Sequence, residues 1–196
     1  MSERSICMGG NYLPVCARCT GIYIGFAVSA LYLFITKGYK GNKPFNLLQT
    51  AFMVLCILPL MIDGVGSYIG LWNSNNLLRI FTGSLCGFVI LPFIVLICNF
   101  SVKGNNDIFI FKKIYHTFII PILCIIIGLI IYFNIFTELY FLYSLLICFG
   151  IFIYYFGIFT LIFKLVFSNK NNRFIFTLSV LCSIFIIIIV SFIRGW

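Results

Sequence analysis

The run LLRIFTGSLCGFVILPFIVLICNF, residues 77–100, carries a single charged side chain, Arg79. As an α-helix it would extend about 36 Å, at a rise of about 1.5 Å per residue, whereas the hydrocarbon core of a bilayer is about 30 Å thick. An apolar run this long satisfies its backbone hydrogen bonds in lipid only by folding as a helix. Working outward from it, further apolar runs of span-forming length occupy residues 15–36, 45–62, 114–136, 139–167 and 174–193. The expected fold class is therefore all-α, a polytopic integral membrane bundle of about six transmembrane helices. None of the runs shows the alternating polarity of a transmembrane barrel strand.

Composition points the same way. Of 196 residues, 63% are hydrophobic and 9% are charged, against about 45–50% and about 25% in ordinary soluble domains. A soluble fold cannot hide that much apolar surface, so the bilayer is the first expected partner. A secretory signal peptide does not account for the pattern, because the apolar runs recur along the whole chain. The chain reads as one transmembrane domain, 1–196, with a motif-bearing half at 1–100 and an apolar helical half at 101–196. The run at 139–167 is long enough to require tilt, and the connection around Thr137 and Glu138 reads as a tight helical hairpin.

The formal net charge of +9 would suit a nucleic acid if the basic residues formed one patch, but they do not. Lys37, Lys40, Lys43, Lys103, Lys112, Lys113, Lys164, Lys170 and Arg173 lie in or beside the gaps after the first, third and fifth runs. Arg4, Arg18, Arg79 and Arg194 fall on the other side. Under the positive-inside rule this bias places the chain in a cell membrane with both termini outside, and no nucleic-acid partner is expected.

Two clusters hold most of the unusual polar chemistry. In Pro14-Val15-Cys16-Ala17-Arg18-Cys19-Thr20-Gly21, Cys16 and Cys19 form a CxxC pair at an expected helix start, with Cys7 upstream. The helix dipole and the charge of Arg18 both favour a thiolate there, the form needed for disulfide exchange or metal ligation. Cys7, Cys16 and Cys19 are thus candidate ligands of a zinc-like metal ion, one short of the usual four unless Asp63, His116 or a water completes the set. A structural disulfide and inert packing remain open alternatives, since Cys56, Cys86, Cys98, Cys124, Cys148 and Cys182 read as small apolar residues within spans. In the second cluster, Asp63 ends one run and Arg79 enters the next. Charges so near hydrocarbon call for an ion pair or a shared polar site, or else snorkel to the headgroups. Gly21 and Gly25, and Gly83 and Gly87, form small-xxx-small pairs suited to close packing of the first and third helices.

By the inferred orientation Cys16, Arg18, Cys19, Asp63 and Arg79 share the outer layer, a candidate site for a metal or for a small-molecule or lipidic substrate. A membrane thiol-redox enzyme, a transporter component and a structural or assembly subunit are the alternatives. The scarcity of charge at the midplane of the runs leans against a pump or channel. His116 lies beside Lys112 and Lys113 and reads as interfacial, and Trp72 and Trp196 read as interfacial anchors. There is no GxxxxGK[ST], HExxH, GxSxG or GxGxxG motif, so nucleotide-driven pumping and zincin-type proteolysis have no support.

Glu3-Arg4-Ser5, the run from Pro14 through Tyr23, Asp63-Gly64, and Ser74-Asn75 to Arg79 followed by Thr82-Gly83 together resemble the domain of unknown function 2085 family of bacterial and archaeal membrane proteins. The resemblance covers roughly the first half of the chain. It implies a polytopic membrane protein and supplies no activity. The family pattern places a Cys-His-Gln element ahead of the Glu-Arg-Ser position, upstream of Met1 here. That implies either an earlier start or a diverged member lacking those metal ligands.

Overall fold

The computed structural model describes residues 5–8, 10–102, 104–167 and 171–194, apart from the side chains of Asn11, Ile193 and Arg194. Glu3, Arg4, Lys103, Lys170 and Trp196, all named above, lie outside the described residues. Six α-helices follow a short antiparallel hairpin: β1 (Ser5–Met8), β2 (Asn11–Cys16), α1 (Ala17–Thr36), α2 (Leu47–Ile69), α3 (Asn76–Asn99), α4 (His116–Tyr132), α5 (Tyr140–Val166) and α6 (Asn172–Arg194). Five of these helices are long and apolar enough to cross a membrane, and α4 is a shorter apolar helix. The protein is a multi-pass membrane protein of the all-α class.

At the centre α1 and α3 run side by side in the same direction. The four glycines set this packing. A Cβ at Gly21 would meet the backbone of Ile80 and Ser84, and one at Gly25 the backbone of Ser84, Gly87 and Phe88. From the other side, a Cβ at Gly83 would meet the Arg18 carbonyl, and one at Gly87 the Ile22 carbonyl. Without side chains at these positions the two backbones touch, and that closeness is the source of dispersion energy where lipid removes any hydrophobic drive. One turn further, Ser29 donates to the Phe88 carbonyl at 3.3 Å. Around this pair α4 and α5 pack on both α1 and α3, α2 packs chiefly on α3, and α6 chiefly on α5.

Two runs differ most from their expected bounds. The second continues as helix two turns beyond residue 62, because Gly64 and Gly66 remain helical and the stop comes only at Gly70, in the left-handed region at φ 80°. The fourth is helical only from His116 to Tyr132, since Asn134 turns the chain at φ 52° and Thr137–Leu139 form one 3-10 turn. The segment ahead of α1 is the hairpin. Cys7 pairs with Tyr12 and Met8 with Asn11, and Gly10 at φ 84° closes the turn.

Alternation along the hairpin strands sends Ile6, Met8 and Leu13 into the bundle. There they are buried with Ala17, Ile24, Ile80, Ile131, Tyr143 and Ile147. Asn134 Nδ2 donates to the Cys7 carbonyl at 3.0 Å, and the Tyr140 hydroxyl donates to the Tyr12 carbonyl at 3.1 Å. The hairpin is therefore a cap on one end of the bundle. At the opposite end, Asn99 Nδ2 donates to the Tyr39 carbonyl at 2.7 Å, and the Asn42 and Lys43 amides donate to the Ile108 carbonyl. His116 opens α4 at that end, its ring stacked on Tyr115 at 4.5 Å.

Candidate functional site

Strand β2 runs into α1 without a loop, and Cys16 is both its last residue and the cap of the helix, with extended backbone at φ −65° and ψ 157°. Cys19 follows one turn along, which brings the two sulfurs to 3.1 Å. Cys16 precedes the membrane-crossing helix. Its pKa is lowered from 9.0 to about 5, chiefly by the hydrogen bond from Cys19, helped by the amides of Cys19 and Arg18 and by the Arg18 charge, with burial opposing. With Cys16 ionised, the Cys19 thiol is the donor and the Cys16 sulfur the acceptor.

Arg18, between the two thiols, turns toward α2. Its Nη2 lies 2.5 Å from Asp63 Oδ2, an ion pair in which the Asp63 side chain is 2% exposed and the Arg18 side chain 29%. Asp63 is buried because α2 continues past it and places it on the stripe of Met53, Cys56 and Gly66 that faces the bundle. The Arg18 carbonyl abuts Gly83, seven residues into α3, so α1 begins about 10 Å below the start of α3 at about 1.5 Å per residue. This offset brings Arg18 level with Asp63.

The ion pair of Asp63 is made with Arg18 and not with Arg79. Arg79 sits in the first turn of α3, where its Nη1 donates to Asn76 Oδ1 at 3.4 Å, and it acts on Asp63 only through its charge at longer range. Ser74, quoted above with Arg79, is buried at 9% exposure and faces the same carboxylate. Asp63 Oδ1 and Arg18 Nε are also buried. Beside them a cleft of about 290 Å³ is lined by Pro59, Ile62, Asp63, Trp72, Leu78, Phe81 and Thr82.

The thiol set does not fit a metal. Among the described residues no three His, Cys, Asp or Glu side chains converge in a way that could hold an ion. Cys7 is exposed on the hairpin across from Tyr12, while Ser5 is the residue opposite Cys16, so the strand register separates the third sulfur from the pair. His116 lies at the far end of the bundle. The expected Cys7, Cys16 and Cys19 ligand trio is not assembled. Cys56 and Cys124 are packing residues of the core.

Residues 1–93 match the sequence profile of a family described as predicted membrane protein (DUF2085). An uncharacterized protein of Methanocaldococcus jannaschii is 36% identical over 96 residues, covering 48% of this chain and 59% of that one. An uncharacterized protein of Methanothermobacter thermautotrophicus is 36% identical over 85 residues, covering 43% of this chain and 72% of that one. The matched part thus spans less than two thirds of the first relative. No solved structure matches the chain. The matched segment contains the hairpin, the cysteine pair, the ion pair and the α1–α3 glycines: the chain belongs to the DUF2085 family of predicted membrane proteins.

Proposed function

We propose that this protein carries out thiol–disulfide exchange at the hairpin end of its bundle, with Cys16 as the attacking thiolate and Cys19 as the resolving thiol. The observation that carries the reading is the 3.1 Å separation of the two sulfurs at the start of α1. A depressed thiol pKa beside an arginine and a helix N-terminus is the environment that makes a cysteine nucleophilic near neutral pH. The Cys16 thiolate attacks one sulfur of a partner disulfide, forming a mixed disulfide and expelling the other partner sulfur as thiolate. Cys19 then gives up its proton and attacks the Cys16 sulfur. The Cys16–Cys19 disulfide forms, the second partner thiolate leaves, and one partner disulfide has been reduced at the expense of two protein thiols. The same steps reversed oxidise a partner dithiol.

The bias of basic residues toward the opposite end supports placing the hairpin end outside the cytoplasm, where oxidised pairs persist. The test is equilibration of the purified full-length protein with glutathione and its disulfide over a range of ratios, followed by acid trapping and alkylation with a mass tag. The expected result is a Cys16–Cys19 disulfide formed at a defined ratio, lost in Cys16→Ser and Cys19→Ser, and retained in Cys7→Ser. Modification of Cys7 by excess oxidised glutathione with no disulfide between Cys16 and Cys19 would overturn the proposal.

A further inference from the structure

We infer that the two connections at the basic end of the bundle form a binding surface for anionic phospholipid headgroups, remote from the dithiol. Residues 37–46, between α1 and α2, and residues 104–115, leading into α4, hold five lysines against the single acid Asp107. The two are bonded into one surface. The Ile108 amide donates to Asn42 Oδ1 at 2.9 Å, while the Ile108 carbonyl accepts from the Asn42 and Lys43 amides. Gly41 is packed so closely that a Cβ there would meet the Ile110 backbone. Ile110 and Phe111 are buried, with the Phe111 ring against Tyr32 and Phe45. Ile108 and Phe109 before them, and Ile114 and Tyr115 after them, are about half exposed.

The length of α4 sets the depth of this surface. Its 17 residues rise about 25 Å, short of the hydrocarbon thickness of about 30 Å, so the chain flanking it completes the crossing. The half-exposed apolar side chains of 108–115 therefore meet the acyl chains just below the headgroups. The lysines beside them reach the phosphate layer. Lys43 Nζ lies 4.1 Å from the centre of the Phe109 ring and Lys113 Nζ 5.6 Å from that of Tyr115, and Lys112 is exposed. A ring in the acyl region with an ammonium over its face holds that charge at headgroup depth. An anionic phospholipid answers both halves, its phosphate meeting the lysines and its chains covering Ile108 and Phe109. A zwitterionic headgroup would bring a cation among the lysines, and a soluble acidic peptide would leave the apolar half uncovered. The other end of α4 lacks the combination: Phe133, Ile135 and Phe136 are exposed there, but residues 133–139 contain no lysine or arginine.

Phe109→Trp, combined with Trp72→Phe and Trp196→Phe, puts the sole tryptophan of the full-length chain on this surface and keeps an aromatic face beside Lys43. The protein is reconstituted into vesicles of phosphatidylglycerol and phosphatidylcholine in equal parts, with bromine on the acyl chains of one lipid or the other. Quenching is expected to show phosphatidylglycerol preferred about fivefold at the tryptophan, the scale of one lysine acting at an anionic surface. Lys43→Gln, Lys112→Gln and Lys113→Gln together are expected to remove the preference. Lys164→Gln, in the last turn of α5 at the same end, is expected to leave it unchanged. Should Phe109→Trp fail to fold, Tyr115→Trp takes its place. Equal quenching by the two lipids, a preference that survives the triple variant, or one that falls as far with Lys164→Gln alone would each overturn the assignment.

Discussion

Arg18 and Asp63 stand 45 positions apart in the sequence and 2.5 Å apart in space. The pair joins the start of α1 to the interior of α2, and it does so with unequal burial, since Asp63 is 2% exposed and Arg18 29%. That inequality gives the two halves of the pair different replacement costs. Arg18→Leu leaves a buried carboxylate unpaired and is expected to cost about 3–5 kcal/mol. Asp63→Leu leaves an arginine that can still reach water and is expected to cost less. The double variant is expected to be more stable than the sum of the single losses allows, by the coupling that a double-mutant cycle isolates. Unfolding by detergent titration in mixed micelles measures all four proteins, and equal costs for the two single variants would remove the argument from burial.

The glycines separate into those that hold helices together and those that do not. A Cβ at Gly87 falls against the Ile22 backbone, whereas one at Gly64 meets nothing within 4 Å. Gly87→Ala is expected to force α1 and α3 apart and lower the unfolding midpoint sharply. Gly64→Ala is expected to be neutral, or to stabilise by up to about 1 kcal/mol through helix propensity alone. Thermal unfolding of both variants, followed by circular dichroism, checks the contrast.

What could be read in advance follows from the range of each signal. Apolar runs and small-xxx-small spacing are local, so the helices, and Gly21, Gly25, Gly83 and Gly87 as packing positions, were legible in the sequence. The partner of Asp63 was not. Sequence order puts Arg79 nearer to Asp63 than Arg18, and only the depth at which α1 starts relative to α3 reverses that order. The hairpin escaped for a similar reason: its anchors Asn134 and Tyr140 lie 127 and 128 positions from the residues they bond. Cys7 illustrates the limit of cysteine counting, because a strand register, invisible in spacing alone, moved it away from the other two sulfurs.

The reactivity of Cys16 carries a pH signature. A thiol lowered from 9.0 to about 5 is already thiolate at neutral pH, so alkylation by iodoacetamide is expected to rise through an inflection near pH 5 and then level off. Cys19→Ser substitutes a hydroxyl for the thiol that contributes most to the shift, and the inflection is expected to move upward. The stability linkage has a definite sign. A depressed folded-state pKa stabilises the native state fully above the unfolded value and loses that contribution as pH falls through the folded value. Stability of the native chain relative to Cys16→Ala is therefore expected to increase between about pH 5 and about pH 9. A single inflection near the ordinary thiol range would show that Cys16 is not activated.

Orientation in the membrane is decided by reagents that cannot cross it. Cys7 is exposed on the hairpin, and Lys40 is exposed at the opposite end among the basic residues. Two proteins, each with a single cysteine, either Cys7 or Lys40→Cys, provide one reporter per end. An impermeant maleimide applied to intact cells is expected to label the Cys7 protein directly and the Lys40→Cys protein only after permeabilisation, as the basic-residue bias requires. The inverse pattern would leave the fold, the ion pair and the sulfur separation untouched. It would place the Cys16–Cys19 pair on the reducing side of the membrane, where thiols persist. The exchange proposed for it would then run chiefly toward reduction of a partner disulfide, and the glutathione ratio at half-oxidation would be the quantity that decides the direction.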